Sequence, residues 1–203
     1  FIGLRLVVNG FEIRRNYSLS AAPNGVDYRI SVKREPGGVA SNYLHDSVQV
    51  GDTLDLAPPA GDFVLATGDR PVVLISGGVG ITPTLALLDQ ALQGTRPVHF
   101  IHCARNRHVH AFRAAIDARA ARHPQLKRFY VYDEHVGTDH APDAVGHLRS
   151  ADLARWLPAS RDVDAYFLGP KPFMRHVKKQ LRDLGVPEAQ TRYEFFGPAS
   201  ALD

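Results

Sequence analysis

The chain has 203 residues, 44% of them apolar and 22% charged, which suits one large domain or two small ones with a real core. A formal net charge of +3, with no long basic run, excludes the charge signature of a nucleic-acid-binding protein, and a pI near 9.1 suits anionic ligands such as phosphates or an acidic partner surface. The single cysteine, Cys103, excludes an internal disulfide framework and a cysteine-ligated iron–sulfur or structural zinc site within these residues. No apolar stretch is long enough to span a bilayer, and no signal peptide is evident. Phe1 opens directly onto strand-like alternation without a Met, so a cut N-terminus is expected, with a reducing, cytoplasmic setting.

The first third reads as β. Residues 1–8 are rich in strand formers, Asn9-Gly10 is a strong hairpin signal, and residues 11–15 return. Residues 17–20 continue extended, Pro23-Asn24-Gly25 turns the chain, and residues 28–34 alternate as a strand. After Gly37-Gly38, residues 39–46 predict a short helix, followed by short strands at 53–56 and 63–65. Many short strands with turn signals predict a small antiparallel β-barrel, here incomplete.

The pattern then changes. Residues 71–76 form a continuous apolar run, as in a strand buried on both faces, and residues 83–93 carry leucines at helical spacing. A strand at 98–102, a helix at 110–122, a strand at 128–132, a polar loop at 133–146 and a helix at 151–156 follow. The last elements are a strand at 165–168, an amphipathic helix at 172–184 and a strand at 192–195. This alternation predicts an α/β parallel-sheet nucleotide-binding domain. The boundary is expected in the short polar segment 66–70, giving domains 1–67 and 68–203.

Three segments can carry chemistry. Gly78, Gly80 and Pro83 form Gly-x-Gly-x-x-Pro between a buried strand and a helix, where backbone amides and the helix dipole favour a dinucleotide phosphate. Pro83 suits a first helical turn and Thr82 can cap it. The third glycine of the dinucleotide fingerprint is missing, and His102, Cys103, Ala104 and Arg105 stand where an acidic residue would close the next strand, so a plain strand-to-helix turn is the alternative. In Arg15-Asn16-Tyr17-Ser18, the arginine can hold a pyrophosphate, the tyrosine can stack on a flat ring and the serine can bond its edge; an amphipathic strand is the alternative. Gly38, Val39 and Ser41 open a short helix whose first amides can bind a second phosphate or simply close a turn.

Other residues invite less. His108 and His110 lack an Asp, Glu or Cys partner at useful spacing, so no metal site is expected. His135, His140 and His147 are expected in solvent, Cys103 in packing and Trp156 in a helix–sheet gap.

The ordered segments RNYSLS, YRISVKRE, Gly37-Gly38-Val39-x-Ser41-Asn42-x-Leu44-His45, VGD, PAGDF, LISGGVGxTP, GPxxFM and YExFGP together resemble the ferredoxin–NADP⁺ reductase superfamily. They are most similar to the reductase module of flavohaemoglobins, the nitric oxide dioxygenases, and the resemblance runs from end to end. It implies an FAD domain followed by an NAD(P) domain with a flavin-contacting C-terminal tail. It implies that Arg15, with Asn16, holds the FAD pyrophosphate, that Tyr17 stacks on the isoalloxazine and that Ser18 bonds near N5. Phe1, Lys33, Gly38, Val39 and Ser41 would complete the FAD contacts. Gly77, Gly78, Val79, Gly80, Ile81, Thr82 and Pro83, with Gly169 and Pro170, would bind NADH or NADPH. In the tail Phe195, Phe196, Gly197 and Pro198, Phe196 would cover the flavin until nicotinamide displaces it. Tyr17, Ser18 and Glu194 would be the catalytic residues, with Glu194 tuning the flavin edge.

Two departures from the family pattern are present. Leu168-Gly169-Pro170 replaces Cys-Gly-Pro, and the barrel's opening strands and the haem domain are absent from this chain. Hydride transfer is expected to survive the first, at a lower rate, because the flavin carries the chemistry. The implied function is transfer of hydride from NAD(P)H to FAD and of single electrons to an acceptor, the haem of an upstream globin that converts nitric oxide to nitrate. Two alternatives stay open: a reductase feeding a [2Fe–2S] domain or separate partner, and a non-catalytic flavin- or nucleotide-binding module. The preference between NADH and NADPH is also open, since Arg105 can pair a 2′-phosphate or stand in solvent.

Overall fold

The computed structural model describes residues 1–137, 141–196 and 202. Strand β1 (Ile2–Val8) turns Ile2, Leu4 and Leu6 inward and Arg5 and Val7 outward. Asn9 and Gly10 both take positive φ, 52° and 82°, the backbone of a tight hairpin turn. Strand β2 (Phe11–Tyr17) therefore returns antiparallel, in register from Val8↔Phe11 to Ile2↔Tyr17. Helix α1 (Val39–Asp46) covers the inward face, and strand β3 (Asp55–Leu56) pairs with the other side of β1, giving the order β2-β1-β3. Ile2, Leu4, Leu6 and Ala40 form the small core of this part.

Two expected strands of this part are corrected. Residues 28–34 make only an isolated bridge, Ile30 to Leu19, beside a bond from the Ser20 N–H to the Arg29 carbonyl of 2.8 Å. Alternation marks a surface that can lie half-buried, but a ladder needs a neighbouring backbone along its length. Residues 63–65 form no strand: the Val64 N–H reaches the Asp62 carbonyl, and the Phe63 ring stands edge-on to Tyr166, 5.6 Å away.

The second part is a six-stranded parallel sheet, order β7-β6-β5-β4-β8-β9. In chain order it runs β4 (Val72–Gly77), α2 (Ile81–Ala91), β5 (Val98–Ala104), α3 (Arg113–Arg122), β6 (Leu126–Tyr132), β7 (Ala144–Val145), α4 (Ser150–Trp156), β8 (Asp164–Leu168), α5 (Lys171–Asp183) and β9 (Thr191–Tyr193). β4 and β8 are buried at every position, as a central strand covered by helices on both faces must be. One face packs Ile81, Leu85, Leu88 and Ile116 from α2 and α3; the other packs Leu153, Trp156, Met174, Val177 and Leu181 from α4 and α5. Trp156 fills a helix–sheet gap as expected, its ring stacked 4.8 Å from Phe129. The region expected to be a polar loop contains β7, an edge strand of two residues, too short for any periodicity to show. α3 begins later than its composition suggests. His110 is buried against Tyr132, and Phe112 stands in a left-handed conformation at the helix start.

From β4 the chain steps one way through β5, β6 and β7, then returns to β8 on the other side. That reversal opens a crevice at the carboxyl ends of β4 and β8, where open α/β sheets take their ligands.

Candidate functional site

The crevice is a cleft of about 820 Å³ bordered by the ends of β4, β5 and β8 and by the tail after β9. Gly78, at φ +54°, begins a 3-10 turn (Gly78–Gly80), and nothing lies within 4 Å of where its Cβ would be. Its left-handed backbone suits glycine and leaves the loop open toward the cleft. The neighbouring glycines have different reasons. A Cβ on Gly77 or Gly169 would press on the Phe173 ring, at 3.1 and 2.6 Å, and one on Gly80 would run into the Leu168 carbonyl. Gly80 is thus explained by packing of the loop on β8, and it does not line the cleft.

Thr82 is also corrected. Its hydroxyl donates to the Val79 carbonyl at 3.1 Å and does not cap the helix; Gly80 holds the N-cap position, with no side-chain bond. Val79, Ile81 and Thr82 still line the cleft beside Gly77 and Gly78, opposite Gly169 and Pro170, with Phe195 and Phe196 from the tail. Lys33, Arg105 and Lys171 bring positive charge to the wall, Lys33 sharing its ammonium with Glu35 at 2.6 Å. A glycine loop open at Gly78, basic side chains and apolar walls fit a phosphate-bearing nucleotide with a flat ring. Lys171 and Phe112 in the cleft wall were not anticipated; Lys171 directly follows Gly169-Pro170, but Phe112 has no sequence signal.

A second, smaller pocket of about 250 Å³ holds Phe1, Ser18, Pro83 and Glu194, with Gly61 and Phe63. Burial pushes the Glu194 carboxyl up from its ordinary range, the Phe1 ammonium opposing this. A hydroxyl, an aromatic ring and a desolvated carboxyl fit the polar edge of a flat heterocycle. The two hollows are neighbours. The start of α2 borders the cleft through Ile81 and Thr82 and the pocket through Pro83, and the tail does the same through Phe195–Phe196 and Glu194.

The remaining candidates among the described residues lie outside both hollows. Arg15 and Asn16 are exposed on β2; the Arg15 guanidinium donates to the Arg14 carbonyl at 2.7 Å. Tyr17 is half-buried in the core of the first sheet, and burial raises its phenol. Val39 is exposed, while the Ser41 hydroxyl donates to the Gly38 carbonyl and accepts the Glu35 N–H, both at 3.2 Å, so it closes its own turn. Gly197, Pro198 and His140 lie outside the described residues.

Behind the glycine loop runs a buried polar string. The Ser76 hydroxyl meets His102 Nδ1 at 2.8 Å, the His102 and His110 rings lie 4.4 Å apart, and His110 Nδ1 meets the Tyr132 hydroxyl at 2.7 Å. Burial holds His102 well below its ordinary pKa and lowers His110 to about 4, with Arg113 and Arg128 adding to the effect. Burial likewise pushes the Cys103 thiol up, as suits a packing residue.

Residues 1–65 match the oxidoreductase FAD-binding domain and residues 74–179 the oxidoreductase NAD-binding domain. The chain is 68% identical over 203 residues to a flavohemoprotein of Burkholderia sp. (strain TH2), a match that covers all of this chain and 52% of that protein. It is 69% identical over the same length to a flavohemoprotein of Pseudomonas putida, again covering 52% of that protein. The chain thus spans about half the length of the curated relatives it matches. Among solved structures, the flavohem-like FAD/NAD binding domain of nitric oxide dioxygenase from Vibrio cholerae superposes with a TM-score of 0.87 at 38% identity, covering 97% of this chain and 84% of that one.

Proposed function

This chain belongs to the family of FAD- and NAD-binding oxidoreductase domains that makes up the reductase half of flavohemoproteins, and on that footing we propose that it moves hydride from NADH or NADPH to FAD and electrons onward to the haem of a globin domain. The observation that carries the reading is the shared border of the two hollows. The start of α2 and the tail 194–196 wall both, so a nucleotide in the cleft meets a flavin in the pocket along one seam. In this reading residues 1–67 are the FAD domain and residues 68–203 the NAD(P) domain.

Position in the two hollows supports some of the roles in this reading, and family resemblance alone supports the others. The loop from Gly77 to Thr82 offers amides to the nucleotide phosphates, and Lys33, Arg105 and Lys171 add charge. Gly169 and Pro170 form the opposite lip. Ser18 offers a hydroxyl to the flavin edge, Phe1 flanks the ring and Glu194 sits at its rim, while Tyr17, packed against the core of the first sheet, owes its stacking role to the family resemblance alone. Arg15, with no carboxylate partner among the described residues, is left to hold the flavin's phosphates beside Asn16 and the start of α1 at Gly38, Val39 and Ser41. Phe196 covers the seam and yields to nicotinamide, with Phe195 beside it in the cleft wall. FAD, when bound, supplies a ring that accepts hydride and releases electrons singly. The protein's part is to bind, orient and keep water from the seam.

The natural acceptor in this reading is haem, the full protein converts nitric oxide to nitrate, and its setting is cytoplasmic. No helix among the described residues is long and apolar enough to cross a membrane. The test is oxidation of NADH and NADPH by the FAD-loaded protein with ferricyanide as a one-electron acceptor. Turnover that requires FAD is expected; binding of both nucleotides without turnover would leave a non-catalytic module.

A further inference from the structure

Asp164 opens β8 at the end of the parallel sheet opposite the cleft, and it is wholly buried. Three guanidinium groups from separate parts of the chain converge on it: Arg96 at 2.6 Å, Arg70 at 3.1 Å and Arg192 at 3.4 Å. A buried ion cluster contributes little net stability against the same volume of apolar packing, because desolvation offsets the attraction. What it does provide is fixed geometry.

The geometry fixed here is that of the segment joining the two sheets. Arg96 Nε donates to the Arg70 carbonyl and Nη1 to the Ala66 carbonyl, both at 2.7 Å, while Nη2 holds Asp164. The Tyr166 hydroxyl accepts the Ala66 N–H at 2.7 Å, and its ring meets Phe63 edge-on. Between the pinned ends, residues 67–69 are exposed, and Gly68 stands at φ +122° with nothing near its Cβ position, so this stretch has no restraint of its own. Both segments that the network grips lead into the flavin-side pocket: Phe63 lines it directly, and Arg192 lies two residues before Glu194.

We propose that Arg96, with Asp164 and Tyr166, clamps the interdomain linker and thereby sets the approach of nicotinamide to flavin, making Arg96 a positioning residue for hydride transfer. The inference rests on the reductase reading above. Hydride transfer needs its reacting atoms within about 3–3.5 Å, and a misplacement of about 1 Å can cost on the order of a hundredfold in rate. A linker free to bend at Gly68 would impose that misplacement without touching either ligand's own contacts.

The test uses Arg96→Lys, which keeps the charge but cannot make the three-way fork, and Tyr166→Phe, which removes one acceptor from the linker. Three quantities are measured: anaerobic flavin reduction at saturating NADH, the dissociation constant for NADH, and hydrogen exchange across residues 66–70 in flavin-free protein. Faster exchange, reduction slowed by about tenfold or more and a dissociation constant within about twofold support the clamp. Faster exchange with an unchanged reduction rate would overturn it, as would unchanged exchange, or a loss of rate matched by an equal loss of affinity. If Arg96→Lys fails to fold, Tyr166→Phe carries the same comparison. Absence of flavin bleaching in the unaltered protein would overturn the reductase reading and the clamp with it; normal bleaching with indifferent variants would overturn the clamp alone.

Discussion

The backbone of Gly80 lies against the carbonyl of Leu168, so closely that a Cβ at residue 80 has no room. The contact joins the glycine loop after β4 to the end of β8, the two strands that frame the cleft. Gly80→Val is therefore expected to act first on the fold. Overpacking of this kind costs about 1–3 kcal/mol, read as a lower melting temperature, with nucleotide affinity falling because the loop is displaced. An unchanged melting temperature with weakened nucleotide binding would show that residue 80 faces the ligand instead.

Gly78 makes the complementary case. Its Cβ position is open, but its φ of +54° disfavours other residues. Gly78→Ala is expected to lose about 1–2 kcal/mol, and Gly78→Asn less, since Asn tolerates this conformation. Both should raise the nucleotide KM, because either side chain stands where the phosphates approach. A KM that follows the stability loss, large for Ala and absent for Asn, would remove Gly78 from the binding loop.

Much of the second part was legible because apolar periodicity is a local signal. α2, α4, α5 and the central strands lie within a few residues of their expected positions. The first part was less so, since residues 28–34 have the pattern of a strand but only Leu19 to pair with. The reason for Gly80, the burial of His110 and the convergence of Arg70, Arg96 and Arg192 on Asp164 were not legible. Each depends on residues far apart in the chain, and charged residues read one at a time default to solvent. The Phe1, Ser18 and Glu194 pocket could be reached only through family resemblance.

Ser18 lines the flavin-side pocket, and its hydroxyl has no hydrogen-bond partner among the described residues. Ser18→Ala is expected to leave the melting temperature within about 0.5 kcal/mol of the original and to slow flavin reduction by about tenfold or more. Stopped-flow reduction checks this, and an unchanged rate would remove Ser18 from the hydride path.

Phe196 is 47% exposed, which is too open for a core residue. Phe196→Ser is expected to change stability by no more than about 0.5 kcal/mol, to tighten nucleotide binding by freeing the stacking surface, and to slow product release. Calorimetric binding of NADH and NADPH on the variant measures both affinities. A large drop in melting temperature with unchanged affinity would make Phe196 a packing residue.

Acid should weaken the fold through the buried histidines. An unfolded imidazole takes up its proton near 6.5, but His110 does so only at about 4, because burial and then Arg113 oppose the charge. Its contribution is intact above the first value and is lost as pH falls to the second, by at most about 3 kcal/mol. His102 acts in the same direction. Glu194, held above its ordinary range, acts in the opposite one, so the comparison is between proteins that differ only at residue 110. His110→Gln should flatten the fall of melting temperature across this window; an identical slope would show that His110 titrates without constraint.

In the proposed function one chain brings nicotinamide and flavin together along the seam between cleft and pocket. Anaerobic mixing of the FAD-loaded protein with NADH, followed in the flavin's visible absorption band, tests it most directly. The band is expected to bleach in a single turnover at a rate that saturates with nucleotide concentration. A band that persists while NADH binds at full occupancy would contradict it.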